Sequence, residues 1–118
     1  MTPRNAFRIS ALFGFLAVAL GAFGAHGLSG LLARNLSKSI WETAVLYHLT
    51  HAVVLLVVST REPFPQWAWR WFAMGVTVFS GTLYLMAITN LRWLGAITPI
   101  GGLCLLAGWL TLAWQGTR

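Results

Sequence analysis

Residues 71–91 read WFAMGVTVFSGTLYLMAITNL, twenty-one positions without an acidic or basic side chain. A helix crosses the hydrocarbon of a bilayer in about 20 residues, so this stretch is long enough to span a membrane. Three other stretches match it. The ten charged residues fall at 4, 8, 34, 38, 42, 61, 62, 70, 92 and 118, which leaves further uncharged runs of 25 residues (9–33), 18 (43–60) and 25 (93–117). Only 8% of the chain is charged and 58% is hydrophobic, whereas roughly a quarter of a soluble domain is charged. Four spans take up about 80 positions, so the 118 residues hold one transmembrane domain with no room for a separate soluble one. The fold expected is all-α, an integral membrane protein with four transmembrane helices in an up-and-down antiparallel bundle.

The net charge of +6 does not point to nucleic acid, because the basic residues are scattered between apolar runs instead of lining one face. They read as topological signals. In a four-span chain Arg4, Arg8, Arg61, Arg70 and Arg118 share one side, and Arg34, Lys38 and Arg92 the other. Five against three, with two of the five just ahead of the first span, favours both termini in the cytoplasm. Arg4 and Arg8 before an apolar run that ends in Ala22-Phe23-Gly24-Ala25 also suit a signal peptide, but the run is long for that role and an uncleaved span is expected. The single cysteine, Cys104, excludes an intrachain disulfide or a CxxC redox pair.

Helices are expected at about 9–26, 40–59, 71–89 and 93–114. Ser39-Ile40-Trp41-Glu42 has the form of a capping box, with Ser39 as N-cap and Glu42 as its partner. In the connector 28–38, Leu28, Leu31, Leu32 and Leu36 at near-helical spacing suggest an amphipathic turn on the membrane surface. Arg61-Glu62-Pro63-Phe64-Pro65 breaks the chain ahead of the third span, and Trp67, Trp69 and Trp71 suit the headgroup level. Pro99, followed by Gly101-Gly102, is expected to kink the fourth helix and free a carbonyl near Gly95.

Ionisable and polar groups inside hydrocarbon are costly and carry a functional reading by default. At about 1.5 Å per residue, His51 lies near mid-membrane with Tyr47 one turn above it on the same face. Ser80 and Tyr84 on the third span reach similar depths, and Thr98 joins them from the fourth. Together, Tyr47, His51, Ser80, Tyr84 and Thr98 form a candidate intramembrane polar site that binds a ligand headgroup or passes protons. The plainer alternative is that they hydrogen-bond across helices, at around 0.6 kcal/mol each. A metal site is not expected: His26 falls at the outer interface, and His48 with His51 supplies two ligands where three or four are needed. Gly21, Gly24, Gly27, Gly81, Gly101 and Gly102 read as close-packing positions. Two acidic residues, both near the interfaces, provide no nucleophile, base and acid set, and no cofactor is implied.

The segments Gly21-Ala22-Phe23-Gly24-Ala25-His26, Tyr47 to His51, Phe79-Ser80-Gly81-Thr82-Leu83-Tyr84, Thr98-Pro99-Ile100-Gly101-Gly102 and Ala107-Gly108-Trp109 resemble, in order, those of the domain-of-unknown-function 423 family, YgdD-like small bacterial inner-membrane proteins. The resemblance covers nearly the whole chain. It implies a multi-pass protein of the cytoplasmic membrane and carries no established activity or catalytic residues. His48 stands where that family's pattern has other polar residues, a further point against a His48/His51 metal pair. The role expected is a non-catalytic membrane component that binds a protein partner, its own copies, or a lipid or quinone-like molecule. Two rivals stand beside it: an oligomeric conduit for protons or small solutes past His51, and a membrane enzyme acting on a lipid or quinone.

Overall fold

The computed structural model describes residues 1–115. It holds five α-helices: α1 (Pro3–Ala25), α2 (Ser29–Arg34), α3 (Lys38–Ser59), α4 (Gln66–Thr89) and α5 (Thr98–Gln115), with a 3₁₀ turn at Arg92–Ala96 before α5. Four segments are long and apolar enough to cross a membrane: α1, α3, α4, and the 3₁₀ turn together with α5. α1 packs along α3, α3 along α4 and α4 along α5, which is the antiparallel order that short connectors impose. Arg118 lies outside the described residues.

The helix ends differ from the sequence expectation for local reasons. α1 starts six residues early, because Pro3 occupies its first turn and the Thr2 hydroxyl accepts from the Asn5 N–H at 3.1 Å, a favoured start. α4 starts at Gln66 directly after Pro65, so Trp67, Trp69 and Trp71 lie within its first turns instead of preceding it. The capping box does not form. α3 begins at Lys38 with Ser37 in the N-cap position, which puts Ser39 inside the first turn and Glu42 beyond the third helical residue, where a box partner must stand. Nor does Pro99 kink a helix. It sits in the first turn of α5, where its missing N–H costs nothing, and the 3₁₀ turn ahead of it absorbs the change of direction.

Polar groups tie together the connectors at the end opposite the N-terminus. α2 ends in a Schellman arrangement, with Ser37 N–H to Leu32 O at 2.9 Å and Leu36 N–H to Ala33 O at 3.2 Å. Leu36 holds the left-handed position at φ 51°, a place that usually goes to glycine. This turn brings Asn35 and Ser37 to the C-terminus of α4, whose last carbonyls have no partner within the helix. Asn35 Nδ2 donates to Ala87 O and Ile88 O, both at 3.0 Å, and Ser37 Oγ donates to Ala87 O at 2.8 Å. Arg92 closes the latch, its Nη2 donating to Asn35 O at 2.6 Å.

The core divides between the two ends. Ala6, Val58, Ala68, Trp69 and Phe72 gather at the end holding the N-terminus, and Leu32, Trp41, Ala44, Tyr84 and Leu94 at the other. At the first end the Trp69 indole N–H donates 2.9 Å to Ser10 Oγ, which passes its own hydrogen to Ala6 O at 2.7 Å. This joins α1 to α4.

Replacing Asn35 and Ser37 together by alanine should lower unfolding stability in detergent by about 1–3 kcal/mol, the cost of leaving the α4 carbonyls unpaired. Ser39→Ala should change it little. Equal effects would show that the latch does not hold α4.

Candidate functional site

The residues that sequence reasoning grouped into one polar layer divide among separate pairs. Tyr84 meets His48, not His51: its hydroxyl lies 2.9 Å from His48 Nδ1. Side chains lean toward the N-terminus of their own helix, so on antiparallel helices His48 leans outward and Tyr84 inward, and they meet. Above this pair the Tyr84 ring packs on Trp41 at 4.7 Å between centroids, and beside it His48 meets the edge of Phe13 at 6.1 Å. The cluster joins α1, α3 and α4.

His51 faces α5. Its Nδ1 lies 2.9 Å from Tyr47 O, and the Trp109 indole N–H donates to its Nε2 at 3.2 Å. An indole nitrogen only donates and a carbonyl only accepts, so Nδ1 carries the hydrogen and Nε2 accepts. Both ring nitrogens are thereby occupied. Phe72 packs against His51 and Trp109 at 5.8 and 5.1 Å. Tyr47 lies parallel to the His51 ring at 6.0 Å and against Phe79 at 4.6 Å, but it is 40% exposed on the outside of the helices and its hydroxyl does not join the interior.

The hydroxyl residues bond to backbone or to each other. Ser80 Oγ donates to Ala44 O at 2.8 Å. Thr82 Oγ1 and Thr98 Oγ1 share a hydrogen bond of 2.7 Å, with Val78 O 2.7 Å from Thr82 Oγ1 and Leu94 O 3.3 Å from Thr98 Oγ1 as their backbone acceptors. Among the described residues the one buried side-chain nitrogen or oxygen without a partner is Gln115 Oε1, at the end of α5. Nor do three His, Cys, Asp or Glu side chains come together among them. The partners that sequence reasoning missed, Trp41, Trp69, Trp109, Ser10 and Thr82, are mostly aromatic. Their single N–H groups gave no periodic signal.

The glycines sort by contact. At Gly24 a side chain would collide with Trp41 Nε1, because the indole lies flat over this position and donates 2.9 Å to Leu20 O. A Cβ at Gly101 would likewise collide with the backbone of Phe79, and one at Gly21 would stand 3.3 Å from Val45. A Cβ at Gly102 would make ordinary contact with Phe79 at 3.8 Å. Two expectations are corrected: Gly81 faces open space, and Gly27, in the turn after α1, faces only Phe23. The tight positions not foreseen are Gly75 and Gly108, where a Cβ would stand 2.7 Å from Leu105 and 2.8 Å from Phe72.

Outside this filled interior lies a groove of about 760 Å³ between the second half of α1, α2 and the first half of α3. Gly21, Gly24 and Ala25 form one wall, Val45, Leu46 and Leu49 the other. Lys38 and Glu42, near the start of α3, also line it, and among the described residues neither has an ion-pair or hydrogen-bonding side-chain partner. A smaller hollow of about 210 Å³ lies at the opposite end, among Arg61, Phe64, Trp114 and Gln115.

A family profile described as "Protein of unknown function (DUF423)" matches residues 20–102, a range that takes in the Trp41–Gly24 contact, the His48–Tyr84 pair and the outer latch. The chain belongs to the DUF423 family. It is 45% identical over 108 residues to the UPF0382 membrane protein SH2409 of Staphylococcus haemolyticus, covering 88% of each chain. It is 40% identical over 111 residues to the UPF0382 membrane protein YwdK of Bacillus subtilis, covering 88% of this chain and 89% of that one. No solved structure matches. The protein is thus an all-helical, multi-pass membrane protein of a family whose activity is not established.

Gly24→Ala should lower the melting temperature in detergent by several degrees, since overpacking a rigid contact costs about 1–3 kcal/mol, whereas Gly81→Ala should leave it unchanged. A double-mutant cycle of His51→Leu with Trp109→Phe should give a coupling of about 0.6 kcal/mol, and at most about 1.7. Additive effects would mean that the pair meets without contributing.

Proposed function

We propose that this DUF423 protein is a non-catalytic component of the bacterial inner membrane that binds a membrane lipid in the groove between α1 and α3. One observation carries the reading. Buried polar side chains of the spans, His48, His51, Ser80 and Thr98 among them, are engaged by protein groups, while the groove has apolar walls and two uncommitted charges at its mouth. Its 760 Å³ falls within the roughly 300–1,000 Å³ of small-molecule sites. Its lining runs along α3 from Lys38 to Leu49, about 16 Å at 1.5 Å per residue, the direction an acyl or isoprenoid chain takes in a leaflet.

The same contacts argue against His51 as the centre of a proton or solute path. A conduit needs a group that can receive and release its cargo, and the Nε2 of His51 already holds the Trp109 hydrogen. An enzyme working through Tyr47, His51 and Tyr84 would need them to converge, but Tyr84 turns to His48 and Tyr47 to the surface. Both termini are assigned to the cytoplasm, since Arg4, Arg8, Arg61 and Arg70 cluster at the end with the N-terminus against Arg34, Lys38 and Arg92 at the other.

Native mass spectrometry of protein released gently from its own membrane tests the reading. Wild type should retain a lipid-sized adduct, Ala25→Phe and Ala33→Phe, which fill the groove, should lose it, and His51→Ala should keep it. Loss in His51→Ala alone would move the site into the helix interior. A bare wild-type protein, monomeric or self-associated, would overturn lipid binding.

A further inference from the structure

Glu42 has no assigned role once the capping box is absent. Its carboxylate lies one turn, about 6 Å, inside the start of a membrane-spanning helix, where an uncompensated charge is costly. Lys38 stands four residues earlier on the same face, yet the two form no ion pair. Lysine ahead of glutamate is the weaker order for such a pair, so neither neutralises the other. Both line the groove. The hydroxyl in its lining, Ser29 Oγ, is committed to His26 O at 2.9 Å.

We propose, resting on the lipid reading above, that this mouth selects a zwitterionic phospholipid with a primary amine, its phosphate on Lys38 and its ammonium on Glu42. Each contact is then a charge-assisted hydrogen bond. Lys38 stands a turn nearer the helix start than Glu42, and the phosphate lies on the acyl side of the ammonium. The head therefore lies across the mouth, and the flexible lysine stem folds back to meet the phosphate. Other headgroups complement the pair less well. A purely anionic head would satisfy Lys38 and repel Glu42. A quinone-like ring would leave both charges uncompensated. A quaternary amine cannot donate to a carboxylate and depends on open aromatic faces, but the Trp41 ring in this groove is 2% exposed, lying between Gly24 and Tyr84.

The test is a native mass-spectrometric titration of delipidated full-length protein with phosphatidylethanolamine, phosphatidylglycerol and phosphatidylcholine of identical acyl chains. Wild type, Glu42→Gln, Lys38→Gln and Ala25→Phe are compared, with circular dichroism to confirm that each is folded. Wild type should prefer the ethanolamine lipid by about tenfold over either other, the scale of one charge-assisted contact. Glu42→Gln should remove that preference and improve phosphatidylglycerol binding, and Lys38→Gln should weaken both phosphatidylethanolamine and phosphatidylglycerol. Equal wild-type binding of all three, abolished by Ala25→Phe, would overturn the headgroup assignment and leave the lipid groove standing. An unchanged preference in Glu42→Gln would do the same. Absence of any lipid binding would overturn both.

Discussion

The indole N–H of Trp41, donating to the Leu20 carbonyl across the space left by Gly24, fixes how α1 and α3 meet. Much of the outer half follows from it. With the nitrogen held on α1, the inner part of the ring is presented to Tyr84 of α4, and Tyr84 in turn reaches His48 back on α3. Three helices are thereby joined by two aromatic side chains and two hydrogen bonds. In hydrocarbon no water can replace a lost partner, so the Trp41 position also limits what Gly24 can become. The glycine is there for the indole, not for backbone freedom.

The two helix interfaces around α4 and α1 are built differently, and the difference locates the groove. α4 and α5 approach at Gly75, Gly101 and Gly108, where Leu105, Phe79 and Phe72 fill the space, and Thr82 bonds Thr98 across the contact. α1 meets α3 closely at Gly24 and, opposite Val45, at Gly21, and a groove opens along this interface with Leu46 and Leu49 in its lining. α1 is also the least buried of the four spans and α4 the most. The lipid site proposed above accordingly lies beside the least buried span.

The four spans were legible because apolar length is a property of sequence alone: the uncharged runs around His51 and Ser80 fall inside α3 and α4. Helix ends were less so. Ser39 and Glu42 carry the letters of a capping box, but Ser37 starts α3 and spends its hydroxyl on Ala87, fifty residues away, a partner that no local pattern reveals. The same holds for the candidate site. Placing residues by Cα depth put Tyr84 level with Tyr47 and Ser80 with His51, whereas contact is decided by where side chains lean. That lean brought Tyr84 to His48 and left His51 to Trp109, on a helix whose register against α3 depends on packing through Phe72. Small residues on α1 were visible as a packing surface. That part of this surface has no protein opposite it was not.

Charge placement in this chain has two separable tasks. Arg92 is anchored on Asn35 and Asn90, so it serves the latch that closes α4. Among the described residues Lys38 and Glu42 have no hydrogen-bonding or ion-pair side-chain partner. Orientation rules count basic residues and discount acidic ones; on that count Lys38 opposes the cytoplasmic assignment of the termini, and a topological reading gives Glu42 no purpose at all. A carboxylate lining an apolar groove, beside an ammonium with which it forms no ion pair, is what the lipid headgroup proposed above would engage, since that head carries both opposite charges a few ångströms apart.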